Sequence, residues 1–219
     1  MMSNVSIRRC AGAALLCLLG ACSYEVGFQP AYLPEEKPQF IADAKVLIVM
    51  PLEQQAFVYS GPPDSKTGDF TTLTVPLGAI VKDIAEDVFT ECFSEGVEIA
   101  TERPSDGDYV VAIEGDIPDF VYRYTKIIEQ GFDEGDQDSW IVPEVDISFN
   151  ARAYDRSGKL ILEKTYDSGV TAGESYRVTS KPSERINETL HETLHALMVQ
   201  LAEDIKPLLV GECTITDIA

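Results

Sequence analysis

Apolar and polar residues alternate along this chain with two periods, and the change between them marks out the elements. Residues 44–50 (AKVLIVM) form a compact apolar run ending at Pro51, the pattern of a buried strand. Residues 70–75 are threonine-rich and extended. Residues 77–93 switch to the helical period. Val81, Ile84, Ala85, Val88 and Cys92 share one face, while Lys82, Asp83, Glu86, Asp87 and Glu91 lie elsewhere, and Gly96 follows the end. Val97–Ala100 reads as a short strand. Residues 109–125 alternate again, with Gly115 and Pro118 marking a bend, after which Phe120, Tyr122 and Tyr124 line one face. Residues 126–139 read as an acidic loop. Residues 143–154 place Val145, Ile147, Phe149, Ala151 and Ala153 on one side. Asp155-Arg156-Ser157-Gly158 is a turn, and residues 159–166 return as a hairpin partner. Residues 183–205 are a second helix, striped by Ile186, Leu190, Leu194, Leu197, Leu201 and Ile205 between Pro182 and Pro207.

Strand, helix, several strands, helix predicts an α+β fold: a mostly antiparallel sheet of four or more strands with two helices packed on one face. Both helices lie parallel if each follows a strand running the same way. Phe120, Tyr122, Tyr124 and Trp140 are a candidate ligand groove, though such residues more often pack a sheet face.

The first residues change the picture. Arg8 and Arg9 precede an uncharged, mostly apolar run over 10–19, too short to span a bilayer and of the length of a signal's hydrophobic region. Leu19-Gly20-Ala21-Cys22 then resembles the lipobox of bacterial lipoproteins. The resemblance implies a signal peptide over 1–21, removed before Cys22, and a Cys22 carrying diacylglyceryl and a further acyl chain such as palmitate. The other reading is an ordinary signal cut after Ala21, with Cys22 free. Residues 22–41, interrupted by Pro30, Pro34 and Pro38, then read as lipidated cysteine and flexible tether, and 42–219 as a single periplasmic domain. Ser23, not aspartate, follows Cys22, which by the same resemblance implies the outer membrane, facing the periplasm.

Losing Arg8 and Arg9 leaves 15 basic residues against 37 acidic, a formal charge of −22. Such a surface repels nucleic acid phosphates and excludes a nucleic-acid role. It also repels anionic head groups, so acyl chains and not a basic patch would hold the protein to the bilayer. With Cys10 and Cys17 gone and Cys22 lipidated, Cys92 and Cys213 remain, two thiols in a compartment where disulfides persist. A parallel helix pair would put them beyond the same ends, and a Cys92–Cys213 disulfide is expected. The layout also resembles small periplasmic lipoproteins that assist envelope assembly or transport, such as lipopolysaccharide-assembly and transporter-auxiliary lipoproteins. That resemblance implies a class of role, an envelope protein partner, and no site.

One motif competes. His191-Glu192-Thr193-Leu194-His195 matches HExxH, in which two histidines one helical turn apart hold Zn²⁺ and the glutamate takes a proton from metal-bound water. Against it, residues 188–195 read Glu-Thr-Leu-His twice, so a tetrapeptide duplication produces the spacing. No third ligand is evident downstream, where Glu203 and Glu212 are the available glutamates. On a helical wheel both histidines fall about 90–130° from the leucine stripe, which reads as a solvated flank. The loop around Asp133–Asp138 lacks the glycine of a calcium loop. The expectation is a non-enzymatic binding or assembly factor of the envelope, with no cofactor. The alternatives are a zinc metallopeptidase using His191, His195 and Glu192, and a structural envelope component.

Overall fold

The computed structural model describes residues 22–35, 42–105, 107–116, 119–130, 137–177 and 182–209. The chain runs β1 (Cys22–Glu25), a 3-10 turn (Pro30–Tyr32), β2 (Val46–Val49), α1 (Leu52–Gln55), β3 (Tyr59–Gly61), β4 (Thr71–Val75), α2 (Leu77–Cys92) and β5 (Val97–Ala100). It continues through β6 (Val111–Gly115), β7 (Asp119–Gln130), β8 (Gln137–Asp155), β9 (Leu160–Ala172), β10 (Tyr176–Arg177) and α3 (Pro182–Leu209).

There are two sheets among these residues, one of three strands in the order β1-β4-β3 and one of seven built on β10-β8-β6-β2-β5, with β7 and β9 also paired to β8. This corrects the expected single, mostly antiparallel sheet with two helices on one face. The larger sheet is mixed, because β2 runs parallel to both β5 and β6, and β1 runs parallel to β4 in the smaller one. A third helix, α1, packs against α2. The physical reason lies in β2. Its residues do not alternate, since both faces are covered: Val46 belongs to the main core, and Leu47 and Val49 to a second cluster with Tyr109 and Ala112. A continuous apolar run is the signature of a parallel strand covered on both sides. The segment from β2 to β5, including α2, supplies the crossover that parallel pairing needs.

The alternating stretch forms as expected and extends further. β8 pairs antiparallel with β6, β7, β9 and β10, and its residues Val145, Ile147, Phe149, Ala151 and Ala153 are buried in the main core. Residues 126–130 and 137–139, expected as loop, continue the β7–β8 ladder. At the β8–β9 turn the Asp155 carboxylate accepts the Ser157 and Lys159 backbone N–H groups, each at 2.9 Å, and Gly158 takes φ +82°. Across the main core, α2 and α3 pack on each other and α3 on β8 and β9. Asp204 ties α3 to β9, accepting from Lys164 Nζ at 2.6 Å and from the Tyr166 hydroxyl at 2.8 Å. Phe120, Tyr122 and Tyr124 are buried, with Tyr59 edge-on to the first two, and the Tyr122 hydroxyl donates to the Gly61 carbonyl at 2.9 Å. They are sheet-face packing, not groove lining.

Gly78, in the first turn of α2, is where α1 crosses closest. A Cβ there would run into the Gln54 carbonyl oxygen, which is backbone and cannot rotate away. Alanine normally stabilises a helix interior relative to glycine. Gly78→Ala is instead expected to destabilise the protein by about 1–3 kcal/mol through overpacking, read from urea unfolding followed by circular dichroism.

Candidate functional site

α3 carries the HExxH histidines, and neither lies on a solvated flank. His191 is 0 % and His195 7 % exposed, which corrects the helical-wheel expectation. What covers the helix is the segment read as a tether. Residues 22–35 lie on the fold: β1 joins the small sheet, Val26 N–H donates to the Thr74 carbonyl at 3.1 Å, and Tyr24, Val26, Phe28 and Leu33 pack against the core.

Two hydrogen bonds fasten this segment to α3. Asn187 Nδ2 donates to the Gly27 carbonyl at 2.8 Å, and the Gln29 backbone N–H donates to His191 Nε2 at 3.0 Å. His191 Nδ1 lies 2.8 Å from the Asn187 carbonyl. A carbonyl only accepts, so Nδ1 carries the proton and Nε2 is the acceptor. The ring is neutral, with both nitrogens engaged. Phe28 stacks on it at 5.6 Å between centroids, and Tyr32 meets it edge-on at 5.7 Å. Burial pushes the His191 pKa below the ordinary histidine range, against the smaller opposite pull of the Asn187 carbonyl. His195 is also lowered by burial, while Asp87 and Glu91 of α2 pull it back. Glu192 is exposed, and its carboxyl is raised by burial first and then by Glu188 and Glu174.

A zinc ligand must offer a ring-nitrogen lone pair to the metal. The lone pair of His191 is on Nε2 and already accepts the Gln29 N–H. Among the described residues no three His, Cys, Asp or Glu groups are arranged to hold a metal ion. The residues as placed do not fit zinc, and no step is derived through it.

Cys22 stands at the first position of β1, in register with Thr71. Cys92 is buried on α2, and its thiol is pushed up to about 11 by burial, then by Glu91 and Glu203. Cys213, Asp133, Glu134 and Asp136 lie outside the described residues. Trp140 is half-buried in β8 with the Arg177 guanidinium 5.2 Å from its ring centroid. Between α2, α3 and the ends of β2 and β6 lies a cavity of about 60 Å³ walled by Ile48, Met50, Phe89, Ile113, Met198 and Leu201. Its lining is mostly apolar, with Gln54, Lys82 and Asp116 as the polar and charged members.

The contributors that sequence reasoning missed are Gly27, Phe28, Gln29, Tyr32 and Asn187. Their only sequence signal is the cluster of aromatics in a stretch otherwise rich in proline. Among the described residues no helix is long and apolar enough to cross a membrane.

No family model matches the chain, and no curated protein matches its sequence. Its fold is distantly similar to three solved structures. A homologue of the neuraminyllactose-binding hemagglutinin from Helicobacter pylori has a TM-score of 0.41 at 11% identity, over 81% of this chain and 94% of that one. A minor lipoprotein from Acinetobacter baumannii has a TM-score of 0.35 at 12% identity, over 75% and 93%. The PelC dodecamer from Paraburkholderia phytofirmans has a TM-score of 0.31 at 16% identity, over 77% and 92%. Likenesses of this order assign neither a family nor a function.

His191→Ala would leave the Gln29 N–H and the Asn187 side of the contact without their buried partner. It is expected to cost about 2–4 kcal/mol in chemical unfolding, whereas exposed Glu192→Gln should stay within about 0.5 kcal/mol. The pH dependence follows from the lowered histidine pKa values. The unfolded chain takes up protons first, so this contribution is complete above about pH 6.5 and is lost as pH falls below it. Melting temperature should drop between pH 7 and pH 5, and His191→Ala should flatten that drop.

Proposed function

We propose that this chain is a lipid-anchored envelope protein that works by binding a partner and not by catalysis, with Cys22 as its acylated residue. The observation that carries the reading is the order of Arg8 and Arg9, the apolar run over 10–19, and Leu19-Gly20-Ala21-Cys22. The non-enzymatic part is supported by His191, whose two nitrogens are held by backbone groups. Ser23 after Cys22 points to the outer membrane, on its periplasmic side. The partner is another envelope protein, and nucleic acid is excluded by the acidic balance. In that oxidising compartment Cys92 and Cys213 are proposed to pair.

Cys22→Ser is expected to abolish incorporation of labelled palmitate and to leave the precursor uncut. Undiminished labelling would overturn the anchor. The same preparation tests the rest. Purified full-length protein should hold far less than one zinc per chain, and its intact mass should reveal two new alkylatable thiols only after reduction.

A further inference from the structure

We infer that the end of the molecule around Cys22 is a bilayer-contacting face, with Phe70 and the Ile127–Ile128 pair seated at the lipid head groups. This rests on the lipidation of Cys22 proposed above. Sequence predicts a tether between anchor and domain, but Cys22 is already in β1, paired with Thr71. No free chain separates the acylated residue from the fold. Acyl chains on residue 22 therefore hold this end of the domain against the membrane surface.

The residues at that end suit it. Phe70, the neighbour of Thr71, is 84 % exposed, the most exposed large apolar side chain among the described residues. Gly68 lies against the Tyr124 ring, and Tyr24 of β1 is within electrostatic reach of Tyr124 and Tyr176. The β7–β8 hairpin continues past Tyr124, carrying Ile127 and Ile128 at 45 % and 53 % exposure. Soluble surfaces usually scatter such residues singly, and a group of them at one end marks a contact site. A partly apolar face fits lipid head groups, where aromatic and aliphatic side chains gain from shallow burial.

The test uses the full-length protein purified from cells in its acylated form, confirmed by mass, and reconstituted in phosphatidylcholine vesicles. Trp140→Phe removes the native indole, and Phe70→Trp, Ile128→Trp or Lys159→Trp introduces one reporter. Lys159 follows the β8–β9 turn, about 40–50 Å along β8 from the residues paired with Tyr124 and Ile128. Brominated lipid should quench the Phe70→Trp and Ile128→Trp proteins several times more than Lys159→Trp. Equal quenching at all three positions, or reporters shielded from iodide but untouched by brominated lipid, would overturn the proposal, the second outcome indicating a protein partner on this face. A protein without acyl chains would fail the anchor reading instead, and mass distinguishes that case.

Discussion

The backbone ladder of β8 is the constraint on which the larger sheet depends. This one strand of 19 residues pairs with β6 and β7 along one edge and with β9 and β10 along the other. Side chains of a strand point alternately to its two faces, so a slip of one residue would turn Val145, Ile147, Phe149, Ala151 and Ala153 out of the core together. The register is therefore fixed by the burial of that row. The Asp155 turn fixes it a second time, because its carboxylate collects the N–H groups that set where β9 begins. α3 lies on β8 and β9, and everything that touches α3 inherits this register.

The segment over α3 shows how local polarity misleads about burial. His191 stands off the leucine stripe, where a helix alone would leave it in water. It is buried because Phe28 and Tyr32 come from more than 150 residues earlier in the chain to cover it. A neutral imidazole is suited to the place, since it donates through one nitrogen to its own helix and accepts through the other from the Gln29 backbone. Asn187, one turn earlier, binds the same segment through its side-chain amide. Polar residues at these positions are thus not a solvated flank but the polar half of an interface between helix and covering chain.

What sequence periodicity reveals here follows the range of the interactions. α2, α3, β5 and the β8–β9 hairpin are legible because their patterns arise from contacts with a single continuous face. The end of β6 is legible from Gly115. The mixed sheet is not, because the direction of β2 relative to β5 and β6 is set by where the crossover returns. The unbroken apolar run was nonetheless the available hint of it. Residues 22–35 pack on the fold although Pro30 and Pro34 interrupt any α-helix, and four residues of β1 suffice to add a strand to β4. The HExxH spacing is legible, but spacing alone does not say whether a lone pair is free. That depends on Gln29, which no motif includes.

These two misreadings have one cause and one consequence. A chain that leaves residue 22 directly in a strand, and reaches α3 by Gln29, is a short mechanical connection between the N-terminal end of the fold and its longest helix. Load applied at residue 22 passes first into the β1–β4 ladder, whose paired backbone hydrogen bonds resist shear together. It passes next to the Val26, Gly27 and Gln29 backbone bonds, and through the last two to Asn187 and His191. A free tether would transmit no such load. His191 of that motif, with Asn187 one turn earlier, therefore joins the start of the folded chain to its core. Their chemistry there, a neutral acceptor and a carboxamide, is that of attachment.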